Sequence, residues 1–141
     1  MVKGFSRTQI LLHWAVALLI LFNLIFSDAM SELWDQIEHT GPMPTTTGAW
    51  VHIAVGVAVL ALVAWRLALR VTRGAPHAPT GTHPLLKFAG DAGHIALYAL
   101  MIALPVSGLL AFFGGFDSLA ELHGGVFKVL LWALIALHVL A

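Results

Sequence analysis

The chain has 141 residues, 60% of them hydrophobic and only 10% charged, with a formal net charge of zero and a mean hydropathy of +0.91. A soluble domain of this size cannot bury so much apolar surface, so the composition indicates a membrane protein, and the balanced charge excludes the basic field of a nucleic-acid-binding chain. Cysteine is absent, which excludes disulfides, thiolate metal sites, iron–sulfur clusters and covalent cofactor attachment through Cys-x-x-Cys-His.

A helix needs about 20 apolar residues to span the hydrocarbon of a bilayer. The first such run covers roughly 8–27 and follows Lys3 and Arg7. It has no small-residue cleavage site, so it reads as a retained helix rather than a signal peptide. In the following connection Leu33, Trp34 and Ile37 recur at helical spacing among acidic residues, which predicts a short amphipathic helix at the membrane surface. The second run covers roughly 49–69. A Gly-, Pro- and Thr-rich loop from Thr72 to Pro84 separates it from the third, roughly 85–113, in which Pro105 should bend the helix. The fourth covers roughly 119–141.

The expected architecture is all-α: one transmembrane four-helix bundle domain over residues 1–141, with both termini on one side. Lys3, Arg7, Arg66, Arg70, Arg73 and Lys87 flank one set of helix ends. Asp28, Glu32, Asp35, Glu38, Asp117 and Glu121 occupy the other connections, and only Lys128 breaks the pattern. The positive-inside rule then places the termini and the 70–86 loop in the cytoplasm. Trp14, Trp34, Trp50, Trp65 and Trp132 mostly suit the interfacial belt.

Ionisable residues within membrane spans are costly and mark function. Each span carries histidine: His13, His52 and His94 in the first three, His123 and His138 in the fourth. At 1.5 Å per residue, His13 lies about 9 Å above Arg7, and His138 lies about 22 Å below His123. Histidines therefore fall into two layers: His13 with His138 near the inner side, and His52 with His123 near the outer side. Fifteen residues advance an α-helix by about 1500°, leaving His123 and His138 roughly 60° apart about the axis and facing one interior. Imidazole is a common axial ligand of haem iron, and a six-coordinate haem takes one from each side of its plane. Interhelical hydrogen bonding explains a single such histidine, but two opposed layers favour two haem groups. His94 falls near the His13 layer, where it fits a spare ligand, a polar partner of a haem propionate or quinone, or packing; the polar partner is the favoured reading. His39, His77 and His83 lie in connections and read as solvated.

The histidines of the spans sit within Arg7-Thr8-Gln9-Ile10-Leu11-Leu12-His13-Trp14, within His52-Ile53-Ala54-Val55-Gly56 with Arg66-Leu67-Ala68-Leu69-Arg70 after it, and within Gly93-His94-Ile95-Ala96-Leu97-Tyr98. Ala103-Leu104-Pro105-Val106-Ser107-Gly108, Leu122-His123 and Ala136-Leu137-His138-Val139-Leu140-Ala141 follow. This ordered set, covering nearly the whole chain, resembles the bacterial di-haem cytochrome b561 family. The resemblance implies a four-helix bundle of the bacterial inner membrane binding two b-type haems, His13/His138 on the inner and His52/His123 on the outer. This agrees with the depth argument. It also implies that His94 is not an iron ligand and that quinone is a substrate. The chain stops three residues after His138, earlier than the family pattern, so the expectation is either a truncated chain or another polypeptide over that face.

Several residues carry two readings. Arg7, Arg66 and Arg70 suit inner-haem propionates, and their topogenic role explains them as well. Lys128, about 7 Å below His123, suits an outer-haem propionate or snorkelling to the surface. Gly56, one turn after His52, admits either a porphyrin or a neighbouring helix, as do Gly124 and Gly125. Tyr98 fits a quinone or haem edge, or packing. The functional expectation is an oxidoreductase-type cytochrome that moves electrons across the membrane and exchanges them with quinone or quinol. Its expected partners are lipid, quinone and a second redox partner such as superoxide, a soluble cytochrome or a dehydrogenase, and self-association is compatible with the pattern. The main alternative is a haem-bearing anchor subunit of a larger hydrogenase- or dehydrogenase-type oxidoreductase. A histidine-lined metal or proton transporter is a remote one, because the spans contain no central Asp or Glu.

Overall fold

A computed structural model describes residues 4–76 and 81–140. The expectations for Lys3, His77 and Ala141 fall outside the described residues. The chain forms α1 (Arg7–Ile25), α2 (Asp28–Thr40), α3 (Thr47–Arg73), α4 (Pro84–Gly114) and α5 (Asp117–Leu122), then a π-helical turn (His123–Phe127) that leads into α6 (Lys128–Leu140). Among the described residues, four stretches are long and apolar enough to cross a membrane: α1, α3, α4 and the continuous 117–140 unit. The predicted spans are all present. The predicted surface helix is α2, whose apolar Leu33 is buried while its acidic residues remain exposed.

Local chemistry sets the helix ends. Ser6 Oγ accepts from the Gln9 amide at 3.3 Å, and Gln9 Oε1 accepts from the Ser6 amide at 2.9 Å, a capping box that satisfies two otherwise unpaired donors. Gln9 Nε2 also donates to the Gly74 carbonyl at 3.2 Å, which ties the start of α1 to the end of α3. Pro84 opens α4 at a position that needs no amide hydrogen, and His83 Nδ1 accepts from the Leu85 amide at 3.3 Å. Gly115 ends that helix at φ 70°, a left-handed conformation that favours glycine. α4 continues through Pro105 as one helix.

Packing proceeds from α1 to α3, from α3 to α4 and from α4 to α6, with α2 laid against α3. The central apolar cluster is small: Val16, Val59, Val63 and Met101. Val16 is 1% exposed, whereas Leu11, Leu18 and Val129 are 65–70% exposed. An apolar exterior of this kind is adapted to hydrocarbon, and the helices keep their backbone polar groups internally bonded. At Gly48 an added Cβ would lie 2.5 Å from Ala29 Cβ, so the bare backbone there allows α2 to sit on the first turn of α3.

Candidate functional site

Three of the four spans bring four histidines together in two pairs. The His13 and His138 ring centroids are 6.1 Å apart, joining α1 and α6. The His52 and His123 centroids are also 6.1 Å apart, joining α3 and the π turn. Two imidazoles on opposite faces of one iron place each nitrogen about 2 Å from the metal with the ring centre about 1 Å farther back, so their centres stand about 6 Å apart. Both pairs fit that spacing. The Nδ1 atoms of His13 and His52 are buried without a hydrogen-bond partner, an uncommon condition in a finished interior. His123 differs: its Nδ1 lies 2.7 Å from the Leu104 carbonyl. A carbonyl only accepts, so Nδ1 carries the hydrogen and Nε2 keeps its lone pair for a metal.

The His52/His123 pair opens onto a cavity of about 420 Å³, within the size range of small-molecule sites. Gly56, Gly124, Asn23 and Lys128 also line it. A Cβ at Gly56 would meet only Asn23 Nδ2, at 3.8 Å, so no helix backbone is packed closely at that point. Asn23 Nδ2 donates to the backbone carbonyl of His52 at 3.0 Å, while its Oδ1 is buried and unpartnered. Lys128 Nζ donates to Ser27 Oγ at 3.1 Å, which supplies the partner a cation at that depth needs. Asp35 and Glu38 of α2 border the same cavity.

At the basic end, His94 lies close to the first pair: its ring centroid is 5.3 Å from that of His138. His138 itself is exposed. The guanidinium carbons of Arg66 and Arg70 lie 5.7 and 6.0 Å from the centroid of Tyr98, a cation–π cluster beside this layer. Tyr98 therefore contacts two cations on α3, and Arg7 is exposed at the start of α1. Arg66 and Arg70 are half-buried with their charges near the histidine layer. Outside the spans, His39 Nδ1 is 2.8 Å from the Asp35 carbonyl oxygen and 3.6 Å from its Oδ1. The hydrogen bond to that carbonyl, followed by the carboxylate charge, holds the His39 pKa above its usual value.

Four residues of this region escaped the sequence reading. Asn23 and Ser27 carried a usable signal, because an amide and a hydroxyl near the end of an apolar span need partners. Ser107 and Gly108 carried none beyond their place in the resemblance, since their contact with His123 exists only in three dimensions. The π turn also alters the angular argument. It accommodates one residue more than an α turn, so the roughly 60° offset between His123 and His138 becomes about 40° in the opposite sense.

Paired imidazoles inside a membrane-spanning bundle are an arrangement that suits a planar iron cofactor between helices. The model of the prokaryotic cytochrome b561 family matches residues 4–141, and the chain belongs to that family. It is a multi-pass bacterial membrane protein, with the b-type haem and membrane electron transfer that characterise the family. The chain is 38% identical to cytochrome b562 of Cereibacter sphaeroides over 112 residues, 79% of this chain and 68% of that relative. It is 29% identical to the probable superoxide oxidase CybB of Yersinia pestis over 110 residues, 76% of this chain and 57% of the relative. It is 25% identical to cytochrome b561 homolog 2 of Escherichia coli strain K12 over 148 residues, 91% of this chain and 75% of the relative. No solved structure matches the chain.

Proposed function

We propose that this cytochrome moves single electrons across the bacterial inner membrane through two b-type haems, one between His13 and His138 and one between His52 and His123, and exchanges electrons with quinone. The observation that carries this reading is the equal 6.1 Å ring separation in both pairs. Haem, which these four histidines would hold, would supply reversible one-electron chemistry.

The chain's own residues do the rest. The paired histidines lie on different helices, so bundle packing fixes the ligand spacing. His123 and His138 are separated by about 20 Å along the fourth span, which sets two levels for electron transfer. Gly56 leaves room at the acidic end, and Lys128 brings a cation that suits a propionate there. Arg66 and Arg70 do the same at the basic end, with Tyr98 and His94 beside them as the polar contacts for a quinone or haem edge. The segregation of Arg and Lys from Asp and Glu supports a cytoplasmic N-terminus.

The relative named a probable superoxide oxidase favours superoxide as the electron donor at the acidic end. The acidic residues of α2 act against it, because Asp35 and Glu38 at the cavity repel an anion.

Proteoliposomes with quinol inside and an impermeant oxidant outside test the proposal. The purified chain should show reduced b-type absorption bands and should reduce the external oxidant, and His52→Ala should abolish the transfer. A preparation without b-type bands, or transfer undiminished in His52→Ala, contradicts it.

A further inference from the structure

One short stretch of α4, residues 104–108, converges on a single imidazole. The Leu104 carbonyl takes the Nδ1 hydrogen of His123 at 2.7 Å. Ser107, only 5% exposed, donates its hydroxyl to the same carbonyl at 2.8 Å, and its oxygen lies 3.4 Å from His123 Nδ1. At Gly108 an added Cβ would stand 2.9 Å from Cε1, 3.1 Å from Nδ1 and 3.4 Å from Nε2 of the same ring. The imidazole thus rests on bare backbone at Gly108 while its Nδ1 is held one turn earlier.

His52 has no comparable seat. Its Nδ1 is buried and unpartnered, and Asn23 engages only its backbone carbonyl. The two rings facing each other are therefore held unequally: one by a defined hydrogen bond and a matched surface, the other by packing. The π turn that begins at His123 belongs to the same device, since such turns re-aim a side chain without ending the helix.

We infer that Ser107 and Gly108 are positioning residues for His123: the Leu104 carbonyl and the Ser107 hydroxyl fix the tautomer and rotation of the ring, and the missing side chain at Gly108 lets it lie against α4. This rests on the reading of His123 as an iron ligand. A hydrogen bond on the non-ligating nitrogen raises ligand basicity, and the ring plane governs the electronic anisotropy of low-spin ferric iron. Both residues thereby act on the haem through His123 without touching it.

The test uses the full chain with its haem, read by low-spin ferric electron paramagnetic resonance and by redox titration. The resonance of the His52/His123 haem is assigned as the one missing in His52→Ala. Gly108→Ala should shift or abolish that resonance and change that haem's midpoint potential, with the other haem unaltered. Ser107→Ala, which adds no bulk, should produce a smaller shift of the same signal, and Ser107→Thr, which keeps the hydroxyl, should restore it. Wild-type resonance and potential in both Gly108→Ala and Ser107→Ala overturn the inference. Should Gly108→Ala fail to accumulate, Ser107→Ala decides alone. Retention of both haems in His123→Ala would instead remove the underlying ligand assignment, and the inference with it.

Discussion

Asn23 and Lys128 share one problem: a strongly polar group in an apolar span. Each donates across a helix boundary, Asn23 Nδ2 to the His52 carbonyl and Lys128 to Ser27, although Asn23 Oδ1 stays unpartnered. His39 illustrates the contrasting situation at the surface, where a hydrogen bond to the Asp35 carbonyl and the nearby carboxylate favour its charged form. Its raised pKa means that its contribution to holding the end of α2 is fully present below the unfolded value of 6.5 and is lost as the pH rises through the higher folded value. An NMR titration should therefore find His39 titrating above an unstructured histidine, and Asp35→Asn should lower the midpoint without abolishing the shift, because the backbone carbonyl remains. A His39 midpoint at or below 6.5 in the folded chain would contradict this. The depth of each histidine was legible in the sequence, because helical rise converts residue number directly into height. The partner of Lys128 was not, because Ser27 lies 101 residues away and meets it only through bundle packing.

Elements differ in how plainly the sequence announces them. α1, α3 and α4 follow from apolar length alone, and α2 from the spacing of Leu33, Trp34 and Ile37 among acidic residues. The π turn is different. His123-Gly124-Gly125-Val126-Phe127 has no periodic signature that separates π from α winding, and its two glycines fit either. The turn nevertheless decides which way His123 faces. A chain lacking Gly125 should restore α winding and rotate His123 by about 100° relative to α6. That chain should retain the His13/His138 haem and lose the other, leaving one haem per chain by quantitative absorption spectroscopy. Two haems retained with unchanged spectra would show that the turn has no part in ligand placement.

At the scale of the molecule, the bundle inverts the usual arrangement of a globular protein. Its buried apolar cluster is small, its outer surface is broadly apolar, and four of its histidines pair in two layers. Composition alone dictated the apolar exterior, and the positions of Arg, Lys, Asp and Glu gave the two ends opposite charge. The unequal character of the two layers required the structure. The acidic-end pair borders a cavity with one ring seated on α4, whereas the basic-end pair includes an exposed His138 with His94 close beside it. One haem per layer is tested by extracting haem as its pyridine complex and counting it per chain. Two are expected per wild-type chain and one in each of His52→Ala and His138→Ala, whereas a single haem in the wild type, or two surviving in either variant, would contradict that assignment.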